Sequence, residues 1–394
     1  MKTTVCHMTV GHGAFDVRIF HKECVALAEA GYDVRLVVPH ERDEVIRGVR
    51  IHALPVARSR AAKLLLAPWV AYRKVLSIRP RPAICHFHEP CLLPVGMALR
   101  LRGFRVIFDV HENMSEQLLT KHYIPRPLRR VTAMTYRFME KLLTSGMASV
   151  HVLDSISRLY RPPRVTVRNL PIVSAVPKGS SGIDGTVRLV YAGGLSRLRG
   201  ALTMLEAARL LNERGLDFHL EIMGTCHEPG LDEEMARFIA DAGMQSKVDL
   251  LGTLPFQEAQ DRVARADIGL CLLHPTPNYL NSLATKILEY MSYGLPVVAS
   301  DFPCWREYVT DTGAGFQVNP LNPAEAADKL EWLIANPKEA GEMGARGRQA
   351  VLTTYNWKVE EKKLLEFYRR ILRTRALADK QMEPPPWVAP GEHA

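Results

Sequence analysis

The 394-residue sequence predicts an α/β protein of two domains, each built on a parallel sheet, and three observations carry that reading. The length exceeds the roughly 100–200 residues typical of one domain. Short apolar runs alternate with amphipathic helical stretches in both halves, the signature of βαβ units. Between them, from Val173 to Thr186, the chain turns rich in Pro, Gly and Ser and reads as a linker.

The first unit begins with a strand at Thr3–Met8, followed by a polar, glycine-bearing loop from Gly11 to Asp16. Phe20, Cys24, Leu27 and Ala28 then recur at helical spacing, and Gly31 falls where a helix end favours a left-handed residue. Asp33–Val38 is the next strand. Ala83–Phe87 and Arg105–Val110 read as later strands of the same sheet, each ending in a polar cluster, His88-Glu89 and His111-Glu112-Asn113. Ligands of open parallel sheets bind beyond the carboxyl ends of strands, so these clusters are candidates for a site.

A second unit follows the linker. Val187–Tyr191 is its first strand, Gly193–Gly200 a loop, Ala201–Glu213 a helix stopped by Gly215, and Phe218–Met223 a strand. Lys247–Leu251, Ile268–Leu273 and Leu295–Ala299 continue the alternation. After about Arg375 a tail rich in proline and charge reads as disordered.

Composition excludes several classes. Cys6, Cys24, Cys85, Cys91, Cys226, Cys271 and Cys304 are an odd, scattered set without metal-ligand spacing, which argues against a disulfide framework and fits a reducing compartment. No apolar stretch of about 18 residues is present, and the first residues lack a signal-peptide pattern, so a cytoplasmic location is expected. The net charge of +9 is concentrated in residues 58–81, where Arg58, Arg60, Lys63, Arg73, Lys74, Arg79 and Arg81 meet no acid and alternate with leucines and Trp69. That mix suits peripheral contact with an anionic membrane; a core helix with a solvated basic face is the competing reading. No nucleic-acid-binding motif accompanies the charge, and nucleic acid is not expected as a partner.

The chemistry concentrates between Pro277 and Glu307. A helix is expected from near Ala284 to Gly294, with Ser282 as a candidate cap. Lys286 and Glu289 stand three apart and share one side of it. A helix N-terminus favours phosphate, Lys286 adds a point charge, and Glu289 can accept two hydrogen bonds from a ribose diol. A solvated Lys–Glu pair is the plainer alternative. Upstream, the loop Gly193-Gly194-Leu195-Ser196-Arg197-Leu198-Arg199-Gly200 lets backbone approach a phosphate, and Arg199 can grip a diphosphate bidentately. The loop lacks the GxGxxG spacing of dinucleotide sites, although Glu221 lies near the distance at which such sites place their ribose acid.

FDVHEN (Phe108–Asn113), YAGGLSRLRG (Tyr191–Gly200) and NSLATKILEYMSYGLPVVASDFP (Asn281–Pro303) together resemble the retaining nucleotide-sugar glycosyltransferases of family 4. The likeness spans nearly the whole chain, from Asp16–Glu23 to Tyr355–Tyr368. It implies the GT-B architecture, two facing Rossmann-like domains with parallel sheets and a cleft between them. An acceptor domain at 1–172, a linker at 173–186, a donor domain at 187–356, a helix at 357–375 packing back on the first domain and a tail at 376–394 follow from it. The resemblance implies that Arg199, Lys286, Ser282 and Thr285 hold the donor diphosphate and that Glu289 holds the ribose. Asn281 and Glu307 fall to the donor sugar, while Gly224, Gly252 and Leu254 line the base. His111 stands beside the transferred sugar, and Asp16, Arg18, Glu89 and Glu112 are acceptor candidates.

Two positions depart from the family pattern. Asn281 stands where a glutamate eight residues before the ribose-binding one is usual, and Gly194 where many members carry arginine. The first leaves donor-sugar identity open; the second shifts diphosphate binding onto Arg199, with Arg197 or Lys286 in support. His86 and His88 share one strand face beside Glu89, a pair that metals use, but no DxD motif accompanies them and no metal or other cofactor is expected. The expected reaction moves a sugar from a UDP- or GDP-sugar to a glycan or lipid-linked acceptor with retention, the donor amides and cations stabilising the departing diphosphate. A GT-B nucleotide-sugar epimerase and a non-catalytic nucleotide-sugar-binding protein are the alternatives.

Overall fold

The computed structural model describes residues 2–57, 59, 61–120, 124–173, 185–226 and 228–381. Most of the expected linker, residues 174–184, lies outside these, as do Arg58, Arg60 and the tail from residue 382. The chain forms two compact units, residues 1–169 with 358–394, and residues 170–357.

The first unit is built on an eight-stranded sheet: β1 (Thr4–Met8), β2 (Asp33–Pro39), β3 (Glu44–Ile46), β4 (Val49–Leu54), β5 (Ile84–Phe87), β6 (Arg105–Val110), β7 (Ala148–His151) and β8 (Arg164–Thr166). Their order is β3-β4-β2-β1-β5-β6-β7-β8, parallel throughout except for the β3–β4 hairpin. The central strands are buried along their whole length, as strands covered by helices on both faces must be. β1 passes to β2 on one side, and β5 then starts on the other, so the chain reverses direction between β1 and β5. That reversal opens a crevice at their carboxyl ends.

The second unit repeats the plan with β9 (Val187–Ala192), β10 (Phe218–Met223), β11 (Val248–Gly252), β12 (Ile268–Cys271), β13 (Val297–Ser300) and β14 (Gly315–Val318), ordered β11-β10-β9-β12-β13-β14 and wholly parallel. Its reversal lies between β9 and β12. One apolar cluster fills each face of the sheet, around Leu205 and Leu220 on one side and Ile287, Trp305 and Val297 on the other.

Strand ends shift by one or two residues from the sequence expectation. β12 stops at Cys271, short of Leu273, because Leu272 onward turns to meet the glycine loop, where the His274 amide donates to the Leu198 carbonyl. The first helix region is a π-helix, Val17–Cys24, continued by an α-helix, Val25–Glu29, before Gly31 at φ 92°. The last helix runs Trp357–Gln381, six residues beyond the expected end at 375 and into the stretch read as tail. Tyr368 of this helix is buried against His7 and His86 of the first unit, which anchors it there.

Candidate functional site

In the second unit the glycine loop leaves the carboxyl end of β9, and three neighbouring segments gather around it. Gly193 has φ 146°, a backbone conformation that favours glycine, and a Cβ there would lie 2.8 Å from the Lys286 Nζ. Gly224, at φ 145°, packs so closely that its Cβ would stand 1.8 Å from the Gly193 carbonyl oxygen. The Gly224 amide donates to the Gly252 carbonyl at 2.7 Å, and Thr225 and Thr253 join hydroxyls at 2.8 Å. The loops carrying Gly224, Gly252 and Leu254 are thereby tied to the loop carrying Arg199.

The cations converge on this loop. Arg199 Nη1 donates to the Gly194 carbonyl at 3.2 Å and its Nε to the Tyr279 hydroxyl at 3.4 Å. Tyr191 donates its hydroxyl to the same Gly194 carbonyl at 2.8 Å, and the Lys286 ammonium sits 3.8 Å above the Tyr191 ring. Burial, with the Arg199 charge adding to it, pushes the Lys286 pKa down to about 8. Two cations thus meet at one glycine loop, an arrangement that suits an anion. Arg197 points elsewhere, pairing with Glu234 and Glu228.

The helix bearing Lys286 runs Thr285–Ser292. Ser282 does not cap it: the N-cap residue is Ala284, which offers no side-chain acceptor to the first-turn amides. The Ser282 carbonyl is instead fixed by the Trp305 indole N–H at 2.7 Å, which draws the segment of Glu307 toward it. Asn281 is exposed and donates to the Pro277 carbonyl at 3.1 Å, and Glu289 is exposed on the helix one turn after Lys286. Glu221, the acid weighed for a dinucleotide ribose, is paired with Arg262 at 2.9 Å.

In the first unit the carboxyl ends of β1, β5 and β6 hold a buried polar network centred on Asp109. Arg18 clasps this carboxylate with Nε on Oδ2 and Nη2 on Oδ1, both at 2.9 Å, and donates Nη1 to the Val167 carbonyl at 3.1 Å. Burial alone would raise the Asp109 pKa, but the Arg18 charge outweighs it and holds the acid well below the carboxylate range. Glu23, 3.1 Å from Arg18 Nε, moves the opposite way: burial and the Asp109 charge push it well up.

An ionised Asp109 only accepts, and that fixes every proton in the chain attached to it. His111 Nε2, at 2.8 Å, and His88 Nδ1, at 3.1 Å, must both donate to Oδ2. Burial holds His7, His86 and His88 below the usual histidine range, so each is neutral. His88 Nε2 therefore accepts from His7 Nδ1 at 3.0 Å, and His7 Nε2 accepts from the Tyr368 hydroxyl at 3.0 Å. Tyr368 in turn accepts from His86 Nδ1 at 2.7 Å. His111, partly exposed, keeps its Nδ1 outside this network. His7, Glu23, His86 and His88 lie close enough together to hold a cation, yet the facing His7 and His88 nitrogens already share a proton.

Glu89 works on the adjacent loop. It accepts from the Gly11 amide at 2.9 Å, from His12 Nδ1 at 2.8 Å and from the Thr9 hydroxyl. Burial would raise its pKa, but these hydrogen bonds more than offset that and lower it. Asp16 accepts from the amides of Arg18 and Ile19, capping the π-helix.

Comparison with known proteins agrees with this layout. The family model "Glycosyl transferase 4-like domain" matches residues 17–167, and "Glycosyl transferases group 1" matches residues 178–350. The chain is a GT-B glycosyltransferase. Alpha-D-kanosaminyltransferase of Streptomyces kanamyceticus is 22% identical over 69% of the chain and 72% of its own length. The amylovoran biosynthesis glycosyltransferase AmsK of Erwinia amylovora is 26% identical over 68% of the chain and 61% of itself. The match to the D-inositol 3-phosphate glycosyltransferase of Pseudarthrobacter chlorophenolicus, at 27% identity, spans 46% of the chain and 43% of that protein. Among solved structures, sucrose-phosphate synthase from Thermosynechococcus elongatus superposes with a TM-score of 0.72 at 16% identity, over 95% of this chain and all of that one. HepE of Anabaena, in complex with UDP and glucose, gives 0.69 at 12% identity, over 93% and all of the respective chains.

In this glycosyltransferase the structure brings Arg199, Lys286, Gly224 and Gly252 into one linked set of loops, with Ser282 and Thr285 on the lysine's own segment. Glu112 is exposed at the end of β6, whereas Arg18 is buried beneath the site and Glu89 is spent on the Thr9–His12 loop. Sequence reasoning missed Asp109, His7, Glu23 and Tyr368, and in the second unit Tyr191 and Tyr279. A buried acid in an apolar strand, Asp109 in FDV, was the one signal that pointed to the first group.

Proposed function

We propose that the chain moves a hexosyl or N-acetylhexosaminyl unit from a UDP- or GDP-sugar to a glycan or lipid-linked acceptor, with retention of anomeric configuration. The observation that carries this reading is the convergence of Arg199 and Lys286 on the Gly193-Gly194 loop. Both cations, with the first amides at Ser282–Thr285–Lys286, suit a diphosphate whose negative charge grows as the anomeric C–O bond breaks. Glu289 takes the ribose hydroxyls, and the Gly224 and Gly252–Leu254 loops flank the base. Asn281 and Glu307 contact the donor sugar.

On the acceptor side, His111 orients the transferring sugar, with Asp109 holding its Nε2 so that Nδ1 is presented. Arg18 acts beneath it by holding Asp109 ionised. Asp16 and Glu89 shape the loop, and Glu112 is the open acid available to an acceptor hydroxyl. The acceptor oxygen attacks the anomeric carbon from the side of the departing diphosphate, whose oxygen takes the acceptor proton. The positive charge on the protein side comes from Arg199 and Lys286, and no metal is assigned to the step. The basic segment 58–81 suits peripheral contact at the cytoplasmic face of a membrane, where lipid-linked acceptors reside.

The test is incubation with UDP- and GDP-sugars, each with and without lipid-linked acceptors. Acceptor-dependent release of the nucleoside diphosphate, with product and donor sharing anomeric configuration by NMR, supports the reading. Conversion of the sugar without acceptor, or no turnover with any pair, overturns it.

A further inference from the structure

The helix Arg126–Leu143 is amphipathic in the wrong direction for a helix that covers a core. Its inward face is narrow, with Ala133 its one buried residue, Leu143 packed at the end against the core and Tyr136 donating to Glu140 at 2.8 Å. Its outward face carries Leu128, Val131, Met134, Phe138 and Leu142, spaced by three and four residues and therefore one continuous stripe. Met134 is 72% exposed, Phe138 70% and Leu142 61%. Isolated apolar residues on a surface mean little, but a contiguous stripe marks a surface that meets another apolar phase.

The charges say which phase. Arg126, Arg130, Arg137 and Lys141 run along one edge of the stripe at the same helical spacing, and the one acid of the helix, Glu140, is turned inward. A second exposed apolar run, Leu64, Leu65 and Leu66 followed by Trp69 and Val70, lies in the stretch 62–77 with Lys63, Arg73 and Lys74. Both stretches flank the helix Leu93–Leu101, so the two apolar surfaces belong to one helical layer over one face of the sheet. A protein partner would require matching shape; a fluid bilayer requires only apolar depth and basic edges, and both are present.

We infer that the helix Arg126–Leu143 lies in the interface of an anionic phospholipid bilayer, its Leu128–Leu142 stripe among the acyl chains and its Arg130–Lys141 edge at the headgroups. This goes beyond the sugar-transfer reading and stands without it, because vesicle binding is measured in the absence of donor and acceptor.

The experiment is sedimentation of the full chain with vesicles of phosphatidylcholine alone and of phosphatidylcholine with 30% phosphatidylglycerol. The expected result is binding to the anionic vesicles that weakens in high salt. Arg130→Glu with Arg137→Glu should lower the partition coefficient about tenfold or more, and Met134→Ser with Phe138→Ser should lower it by about tenfold or more as apolar burial is lost. All four positions are exposed, so unchanged thermal melting confirms that the variants are folded. No binding to anionic vesicles, or binding that neither double variant weakens, overturns the inference. So does a self-associated protein that Met134→Ser with Phe138→Ser converts to monomer, since the stripe would then meet a second copy.

Discussion

Asp109 Oδ2 lies 2.8 Å from His111 Nε2 while Arg18 holds both oxygens of the same carboxylate. Two residues of one strand end are thus locked in a donor–acceptor relation that leaves His111 a single free nitrogen. Asp109→Asn keeps the shape, but its amide can no longer act as a full acceptor for three donors. Transfer should fall about tenfold to a hundredfold, the range expected when one buried partner is lost, while free-nucleotide affinity stays near its original value. The Tm should also drop, because Arg18 becomes a buried, uncompensated charge. His111→Ala should lower transfer without that loss of Tm; equal loss of nucleotide affinity in either variant would refute the positioning role.

Arg199→Ala should act mainly on turnover. Charge on the leaving diphosphate is greatest in the transition state, so kcat should drop on the order of a hundredfold, as when a single oxyanion donor is removed. Arg199→Lys should recover part of this, since it restores the charge but not the fork. A rise in KM with unchanged kcat would mean that Arg199 meets substrate and transition state alike.

Glu289→Ala should weaken donor binding and erase the preference for ribonucleotides. The measurement is the ratio of affinities for UDP and 2′-deoxy-UDP, or the guanosine pair. The ratio should approach one in the variant; a ratio equal to that of the unaltered protein would place the ribose elsewhere.

Lys286 gives donor binding a pH dependence. Its folded pKa of about 8 lies below the ordinary 10.5, so the free protein loses this proton as pH rises through about 8. A bound diphosphate favours the charged form, so binding takes up a proton above that pH and Kd should climb between pH 8 and 10.5. Lys286→Met should bind weakly with little slope over this window. In the ligand-free state the sign reverses: the unfolded chain binds the extra proton, so this residue's contribution to stability rises over the same interval.

Acid should destabilise the first unit early. His7, His86 and His88 are held neutral below the ordinary 6.5, so the unfolded chain takes up protons first as pH falls past 6.5, and stability is lost from there downward. Asp109, with its depressed pKa, adds to the loss below its unfolded value near 3.8, while the raised Glu23 works oppositely and costs stability above 4.5. Calorimetry between pH 7 and 5 should show a falling Tm that His7→Asn flattens; a Tm constant over that range would contradict the protonation pattern.

Much of this was readable from residue order. Alternating apolar runs located the strands, and Gly31 and Gly215 marked helix ends because both take left-handed backbone, at φ 92° and 73°. The spacing of Lys286 and Glu289 placed both on one helix, Thr285–Ser292. What stayed hidden depends on distant contact. Ser282 has the chemistry of a cap, but the helix begins at Thr285 and leaves the cap position to Ala284. Arg18 and Glu89 look like available charges in a loop, yet each meets partners about eighty to ninety positions away. The Arg126–Leu143 helix has the periodicity of any amphipathic helix, and only its burial shows that the apolar side faces out.

Tyr368 closes the histidine chain from 361 positions downstream of His7. The second unit is one continuous stretch, residues 170–357, and is complete before that tyrosine has been synthesised. On the ribosome, then, the second unit can mature first, and the first unit acquires its final proton arrangement only when the last helix emerges. A chain that stops short of the last helix would carry a finished second unit beside a first unit whose histidine chain is still open.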